Sequence, residues 1–326
     1  MTDRKRVFSG IQPTGNIHIG NYIGAGRNYV TLQEEYETIY CVVDLHAMTV
    51  PYDPKDLRAG KINVAKMLLA MGIDPERSLL YNQSDVPHHA ELSWILGTIT
   101  SMGQLERMTQ YKEKSDKSGQ NLGLFAYPVL MAADILVHRV HAVPVGEDQT
   151  QHLELTRDLA ERFNHRFGEL FPVPEAIVPE VGARIMSLTD PTSKMSKSDP
   201  SPRSRVHLTD TPDEIASKIR SAVTDAGAEV AYEPEQKPGI SNLLEIFSAF
   251  DGRSIDELVA EYRDSGYGVF KSAVADAVIE GLRPLQEAYS ALSDDEVHRV
   301  MEASAEKARD MASETMRLVR EAVGLD

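Results

Sequence analysis

The chain has 326 residues, of which 42% are hydrophobic and 26% charged, and its formal net charge is −16. That length allows a large core and about two structural units, and the composition is that of an ordinary globular protein. There is no apolar run of about 18 residues, the opening MTDRKRVFSG has no apolar centre, and Cys41 is the single cysteine; a membrane span, a secretory leader and an internal disulfide are thus not expected, and a reducing cytoplasm fits. The charge is uneven, with 25 Asp/Glu against 12 Lys/Arg from Leu208 onward. Nucleic-acid binders usually carry a basic face, so composition by itself argues against an RNA partner and leaves room only for local basic patches.

The first half alternates short β-like runs with amphipathic segments. RVFSGI (6–11), TIYCVVDL (38–45), SLLYNQ (78–83) and HAVPVG (141–146) read as strands. Pro54 opens a helix whose apolar residues Leu57, Ile62, Ala65, Leu68 and Leu69 keep helical spacing up to Gly72. Further helices are expected at about 20–36, 88–101 and 147–167. This alternation predicts an α/β fold with a doubly wound parallel sheet, which binds ligands at the C-terminal ends of its strands. After residue 200 the texture turns helical. Thr211-Pro-Asp-Glu214 and Ser293-Asp-Asp-Glu296 are capping boxes, and the second launches a long helix to about Val323. Residues 225–241 read as a surface excursion.

Chemistry is sought where strands end. Gly10-Ile-Gln-Pro-Thr-Gly-Asn-Ile-His-Ile-Gly-Asn21 follows the first strand and leads into a helix. Its glycines admit close backbone approach, and a helix N-terminus offers N–H groups to phosphate, so it reads equally as a tight turn or a nucleotide site. In Met131-Ala-Ala-Asp-Ile-Leu136 a carboxylate sits among apolar residues, where it must be partnered. Asp134 reads either as a cap or partner of Arg139, or as an acceptor for a ligand N–H. Pro144-Val-Gly-Glu-Asp-Gln149 brings acids to a helix start, either as plain N-terminal electrostatics or as acceptors of ribose hydroxyls. Asp190-Pro-Thr-Ser-Lys-Met-Ser-Lys-Ser-Asp-Pro200 is a Lys/Ser segment between two Asp-Pro pairs, either a solvated turn or a mobile anion clamp. His88-His89 lacks zinc-site spacing, and no structural metal is expected.

Together these stretches resemble the class I aminoacyl-tRNA synthetases. His18-Ile19-Gly20-Asn21 is similar to their HIGH element, and Lys194-Met195-Ser196-Lys197-Ser198 to their KMSKS loop. GIQPTGNIHIGNYIGA, LERMTQYKEKS, PVLMAADIL, VPVGEDQTQHLELTRDLAERFN, KPGISNLL and GYGVFK resemble the tryptophan-specific family of that class, from residue 6 to the C-terminus. One departure is Asn21 in place of the second histidine, so a mechanism needing two imidazoles does not carry over.

The resemblance implies a Rossmann-like nucleotide-binding domain over 1–186 and a smaller all-helical domain over 187–293, which holds the KMSKS loop and anticodon contacts. A C-terminal helix, 294–326, is implied to pack back on the first domain. The implied reaction is activation of L-tryptophan by ATP with Mg²⁺, then transfer to tRNA(Trp), by a cytoplasmic homodimer. For ATP it implies Gln12, Pro13, Thr14, Gly20, Asn21, Lys114, Gly146, Glu147, Asp148, Ile185, Lys194, Met195, Ser196, Lys197 and Ser198. Lys194, Lys197, Asn21 and Gln12 are the implied catalytic members. For tryptophan it implies Asp134 under the indole N–H, with Met131, Tyr127, Phe8, His46, Val143, Val145 and Gln149 around it. A tyrosine-activating sibling and a non-catalytic RNA-binding paralogue are the alternatives; MAADIL and GEDQ count against the first, the intact clamp against the second.

Overall fold

The computed structural model describes residues 4–108, 121–146, 149–177, 184–197 and 199–326. Five strands, β1 (Arg6–Ile11), β2 (Glu37–Val42), β3 (Ser78–Asn82), β4 (Ala142–Pro144) and β5 (Glu175–Ile177), form one sheet in the order β3-β2-β1-β4-β5. Every pairing is parallel. The chain steps outward from β1 to β3 and then resumes on the other side of β1 with β4. The switch point therefore lies between β1 and β4, and the loops leaving their C-terminal ends flank the crevice where such sheets bind ligands.

The helices are α1 (Ile19–Asn21), continued by a π turn (Tyr22–Gly26) into α2 (Arg27–Glu35), then α3 (Asp44–Ala47), α4 (Pro54–Ala70), α5 (His88–Gly97), α6 (Met102–Glu106), α7 (Leu122–Leu136) and α8 (Thr150–Phe167). The later ones are α9 (Pro212–Arg220), α10 (Pro238–Asp251), α11 (Ile255–Tyr262), α12 (Tyr267–Ala291) and α13 (Asp294–Val323). Local chemistry accounts for several boundaries. Asp53 caps α4 by accepting from the backbone N–H groups of Lys55 and Asp56, with Pro54 at the first helical position. Thr211, Ser254 and Ser293 each form a full capping box.

The chain divides into two compact units, residues 1–14, 30–179 and 293–326, and residues 15–29 and 180–292. In the first, the sheet is covered by helices, and α13 packs on β3, α4 and α5. In the second, α9 and α10 pack on α12, and α11 on α10.

Several elements differ from the sequence expectation, three of them for a clear local reason. The second strand stops at Val42 because the chain turns into α3 at Asp44. Helix α7 carries Pro128 in its interior, a breaker that hides a helix from a local reading. Nine buried residues along α7 hold it in place nonetheless. The presumed excursion over 225–241 ends earlier, since α10 begins at Pro238.

Candidate active site

In the first unit, the loops after β1 and β4 leave adjacent strands at the switch point. Gln12, Pro13 and Thr14 follow β1; Gln12 and Thr14 are exposed and Pro13 is buried. Pro13 is pressed against α4: a Cβ on Gly60 would lie 2.1 Å from the Pro13 carbonyl oxygen. After β4, the Val145 N–H donates to the Ile177 carbonyl at 3.2 Å, and the exposed Gly146 carbonyl accepts from the Gln149 N–H at 3.0 Å. Lys114, Glu147, Asp148 and Ser198 lie outside the described residues.

Tyr127, Met131 and Asp134 occupy successive turns of one α7 face. Phe8, Val143 and Val145 belong to a common apolar core on which Met131 packs. Tyr127 lies edge-on to His46, with centroids 6.1 Å apart. The Tyr127 hydroxyl is 2.9 Å from His152 Nε2, and His152 Nδ1 is 3.1 Å from Gln149 Oε1. The sequence-predicted residues of the tryptophan set thus fall into one region of the first unit.

Asp134 is 1% exposed and is not partnered by Arg139. His46 Nε2 lies 2.8 Å from its Oδ2. The Gln83 amide donates to its Oδ1 at 2.7 Å. His89 Nδ1 lies 2.8 Å from the same Oδ1, an ion-pair distance that lacks the direction of a hydrogen bond. Burial opposes ionisation here, but contacts from His46 and His89 outweigh it and the carboxyl falls to about 2. The site contains a charged acceptor inside an apolar wall.

The second unit holds both signature elements. His18 caps α1 reciprocally with Asn21: its Nδ1 accepts the Asn21 N–H at 3.3 Å, and its own N–H reaches Asn21 Oδ1 at 3.4 Å. Asn21, where the HIGH element has histidine, closes this capping box. The Ile19 N–H donates to the Val206 carbonyl and the Leu208 N–H to that of Ile17, both at 3.0 Å.

The clamp segment doubles back on Ile185–Ser187. The Met195 N–H donates to the Ile185 carbonyl at 3.1 Å, and the Ser187 N–H to that of Ser193 at 2.8 Å. Asp190 closes the turn by accepting from the hydroxyls of Thr192 and Ser193, each at 2.6 Å. Asn242 of α10 grips the Met186 backbone from both sides, accepting at 2.8 Å and donating at 3.0 Å. The Ser196 carbonyl accepts from the Asp199 N–H at 3.5 Å.

Glycines bring the two signatures together. A Cβ on Gly20 would sit 3.5 Å from that of buried Met195, and one on Gly15, whose φ is +66°, would sit 3.4 Å from Lys197 Cδ. Burial lowers the Lys197 ammonium below its usual range. Burial, then the charges of Lys197, His207, Arg205 and Lys194, hold His18 down to about 3. A neutral imidazole surrounded by cations is the electrostatic signature of a place that receives an anion.

Sequence reasoning missed Gln83, His89, Tyr81, His138, Asn242 and Arg205. The fragment KPGISNLL contains Asn242 without giving it a role, and the pair His88-His89 carries no signal beyond its lack of zinc-site spacing. Among the described residues no group of three or more His, Cys, Asp or Glu is arranged to hold a metal ion, and no helix is long and apolar enough to cross a membrane.

Over residues 1–283 the chain matches the family described as tRNA synthetases class I (W and Y). It is 54% identical, over 98% of both chains, to a tryptophan–tRNA ligase of Caldanaerobacter subterraneus subsp. tengcongensis. Among solved structures it resembles tryptophanyl-tRNA synthetase from Mycoplasma pneumoniae, with TM-score 0.88 and 33% identity over 99% of this chain and 98% of the other. It also resembles the Campylobacter jejuni enzyme complexed with ADP and tryptophan, with TM-score 0.87 and 37% identity over 98% of this chain and 99% of that one.

Proposed function

The chain belongs to the class I tRNA synthetases that serve tryptophan and tyrosine, and from that premise we propose how its residues divide the work. It activates L-tryptophan with ATP to tryptophanyl-adenylate and pyrophosphate, then transfers tryptophan to the 3′ end of tRNA(Trp). The end-to-end likeness to tryptophan enzymes carries this reading.

The tryptophan carboxylate attacks the α-phosphorus in line, and pyrophosphate leaves. Such chemistry needs positioning and charge compensation more than covalent help. Gln12, Pro13, Thr14, Gly20, Asn21 and Ile185 line the nucleotide, and Gly146, Glu147 and Asp148 hold its ribose. Lys194 and Lys197, with Met195, Ser196, Ser198 and Lys114, receive the pyrophosphate. The cationic surroundings of neutral His18 support that assignment. Mg²⁺ would come as part of the ATP substrate and offset the charge of its phosphates.

Asp134 accepts the indole N–H within the wall made by Phe8, His46, Tyr127, Met131, Val143, Val145 and Gln149. Its low carboxyl pKa supports a charge-assisted bond. Residues 1–186 form the catalytic domain, 187–293 read the anticodon, and 294–326 brace the catalytic domain. The enzyme is a cytoplasmic homodimer. Supporting the dimer, Trp94, Met102 and Leu122 are 78%, 63% and 78% exposed, on α5, α6 and α7, where α5 and α6 both pack on α7. Trp94→Glu, followed by sedimentation, tests that surface; an unchanged dimer rejects it.

The activity is tested by ATP–pyrophosphate exchange across all twenty amino acids. Exchange driven by tryptophan alone is expected, and exchange driven by tyrosine overturns the reading.

A further inference from the structure

Behind Asp134 the first unit contains a line of polar groups that nothing above uses. Tyr81 of β3, His89 of α5 and His138, just beyond α7, are all fully buried. The Tyr81 hydroxyl lies 3.0 Å from His89 Nε2 and 2.7 Å from His138 Nε2. We propose that His138, Tyr81 and His89 form a one-directional hydrogen-bond relay that positions the Asp134 carboxylate and thereby sets selectivity for the indole N–H. The proposal rests on the reading of Asp134 as the indole acceptor.

Counting protons fixes the direction. If His89 Nδ1 were bare, its lone pair would face the Asp134 Oδ1 lone pairs at 2.8 Å. The proton therefore sits on Nδ1, and Nε2 is left bare to accept from the Tyr81 hydroxyl. Tyr81 has only that proton, so its oxygen accepts from His138, whose proton must be on Nε2. His138 Nδ1 is then a bare acceptor, and it is the atom of this ring that finds no partner. Arg6 holds the outer end by donating to the His138 carbonyl at 3.1 Å. Burial drives the Tyr81 hydroxyl well above its usual range and the His138 imidazole well below, so both stay neutral and the proton order is kept.

The consequence lies at the carboxylate. Each oxygen offers two lone pairs. Oδ1 meets Gln83 and His89, whereas Oδ2 meets His46. Oδ2, with His46 alone beside it, keeps a clear acceptor position, the one a ligand N–H would take. Without the Tyr81 hydroxyl, the buried His89 Nε2 lone pair loses its donor, and the ring is no longer held in the orientation that presents Nδ1–H to Oδ1. A turned ring would release Oδ1, let the carboxylate rotate and spoil the direction of Oδ2.

The test compares kcat/KM in pyrophosphate exchange for tryptophan and for benzothienylalanine, which has sulfur in place of the indole N–H. Tyr81→Phe is expected to shrink the preference for tryptophan by about tenfold, the scale of one buried hydrogen bond. His138→Leu should lower it less, and His138→Gln, whose amide can donate to Tyr81, should restore it. Equal losses on both substrates mean a purely structural role and overturn the relay. If circular dichroism shows that Tyr81→Phe does not fold, the two His138 variants decide, and identical preferences in both reject it. Asp134→Ala, which removes both acceptor oxygens, separates the two claims. If it leaves the preference intact, the acceptor reading itself fails; if it abolishes the preference while the Tyr81 and His138 variants keep it, only the relay fails.

Discussion

Gly60→Ala sets two effects of opposite sign against each other. Gly60 lies inside α4, where alanine ordinarily stabilises a helix by about 0.8–1 kcal/mol. Here the added Cβ would stand 2.1 Å from the Pro13 carbonyl oxygen. Carbon–oxygen contacts settle at about 3.3 Å, so the two backbones must part by about 1 Å. The obstacle is main chain, not the tip of a flexible side chain, and overpacking of this kind costs about 1–3 kcal/mol. Crowding therefore wins, and the net effect is a loss of up to about 2 kcal/mol or a displaced loop. Gln12 and Thr14 flank Pro13, and a misplacement of about 1 Å in positioning groups costs up to about 10²-fold in rate. In pyrophosphate exchange, kcat/KM for ATP should fall by about 10–100-fold, while tryptophan binding without ATP, measured by equilibrium dialysis, holds. Gly24→Ala is the control, since nothing lies within 4 Å of its Cβ position. A Gly60→Ala protein with higher Tm and unchanged ATP kinetics would refute the reasoning.

Replacing Lys194 or Lys197 with alanine should slow adenylate formation by about 10²-fold or more and leave tryptophan affinity without ATP nearly unchanged; collapse of that affinity with an intact rate would sink the clamp assignment. Asp134 titrates in the folded state near 2 rather than the ordinary 3.8. Its contribution, about 2 kcal/mol, is present above 3.8 and lost as pH falls from there through about 2; urea melts should show the advantage over Asp134→Asn shrinking below about pH 4, and a constant advantage argues against it. For His18 the unfolded chain takes the proton first, near 6.5, and the folded chain only near 3. Stability should therefore decline on acidification through that window, and His18→Asn should flatten the decline in thermal melts; identical slopes reject the buried-neutral assignment. Gly239→Ala would place a Cβ 2.1 Å from the Val223 carbonyl oxygen, so a loss of about 1–2 kcal/mol is expected in denaturant melts, and no loss counts against the contact.

Local signals determined a good deal of this protein. Short apolar, β-like runs marked β1 to β4, capping boxes marked the starts of α9 and α13, and strand–helix alternation foretold the parallel sheet. Each is written in residues a few positions apart, which is why a linear reading finds them. The strand β5 is Glu175-Ala-Ile177 with its first two residues exposed, so it shows no apolar run, and α7 hides behind Pro128. The residues around Asp134 are harder still. The sequence marked Asp134 as a carboxylate that burial would make costly without a partner, and could not say which partner. His46 is 88 residues away and Gln83 is 51 away. Only the tertiary arrangement, in which β2 and β3 lie side by side and α3 and α5 pack on α7, delivers His46, Gln83 and His89 to one carboxylate. Hydrogen bonding depends on distance in space, and chain closure over such separations leaves no trace in local spacing.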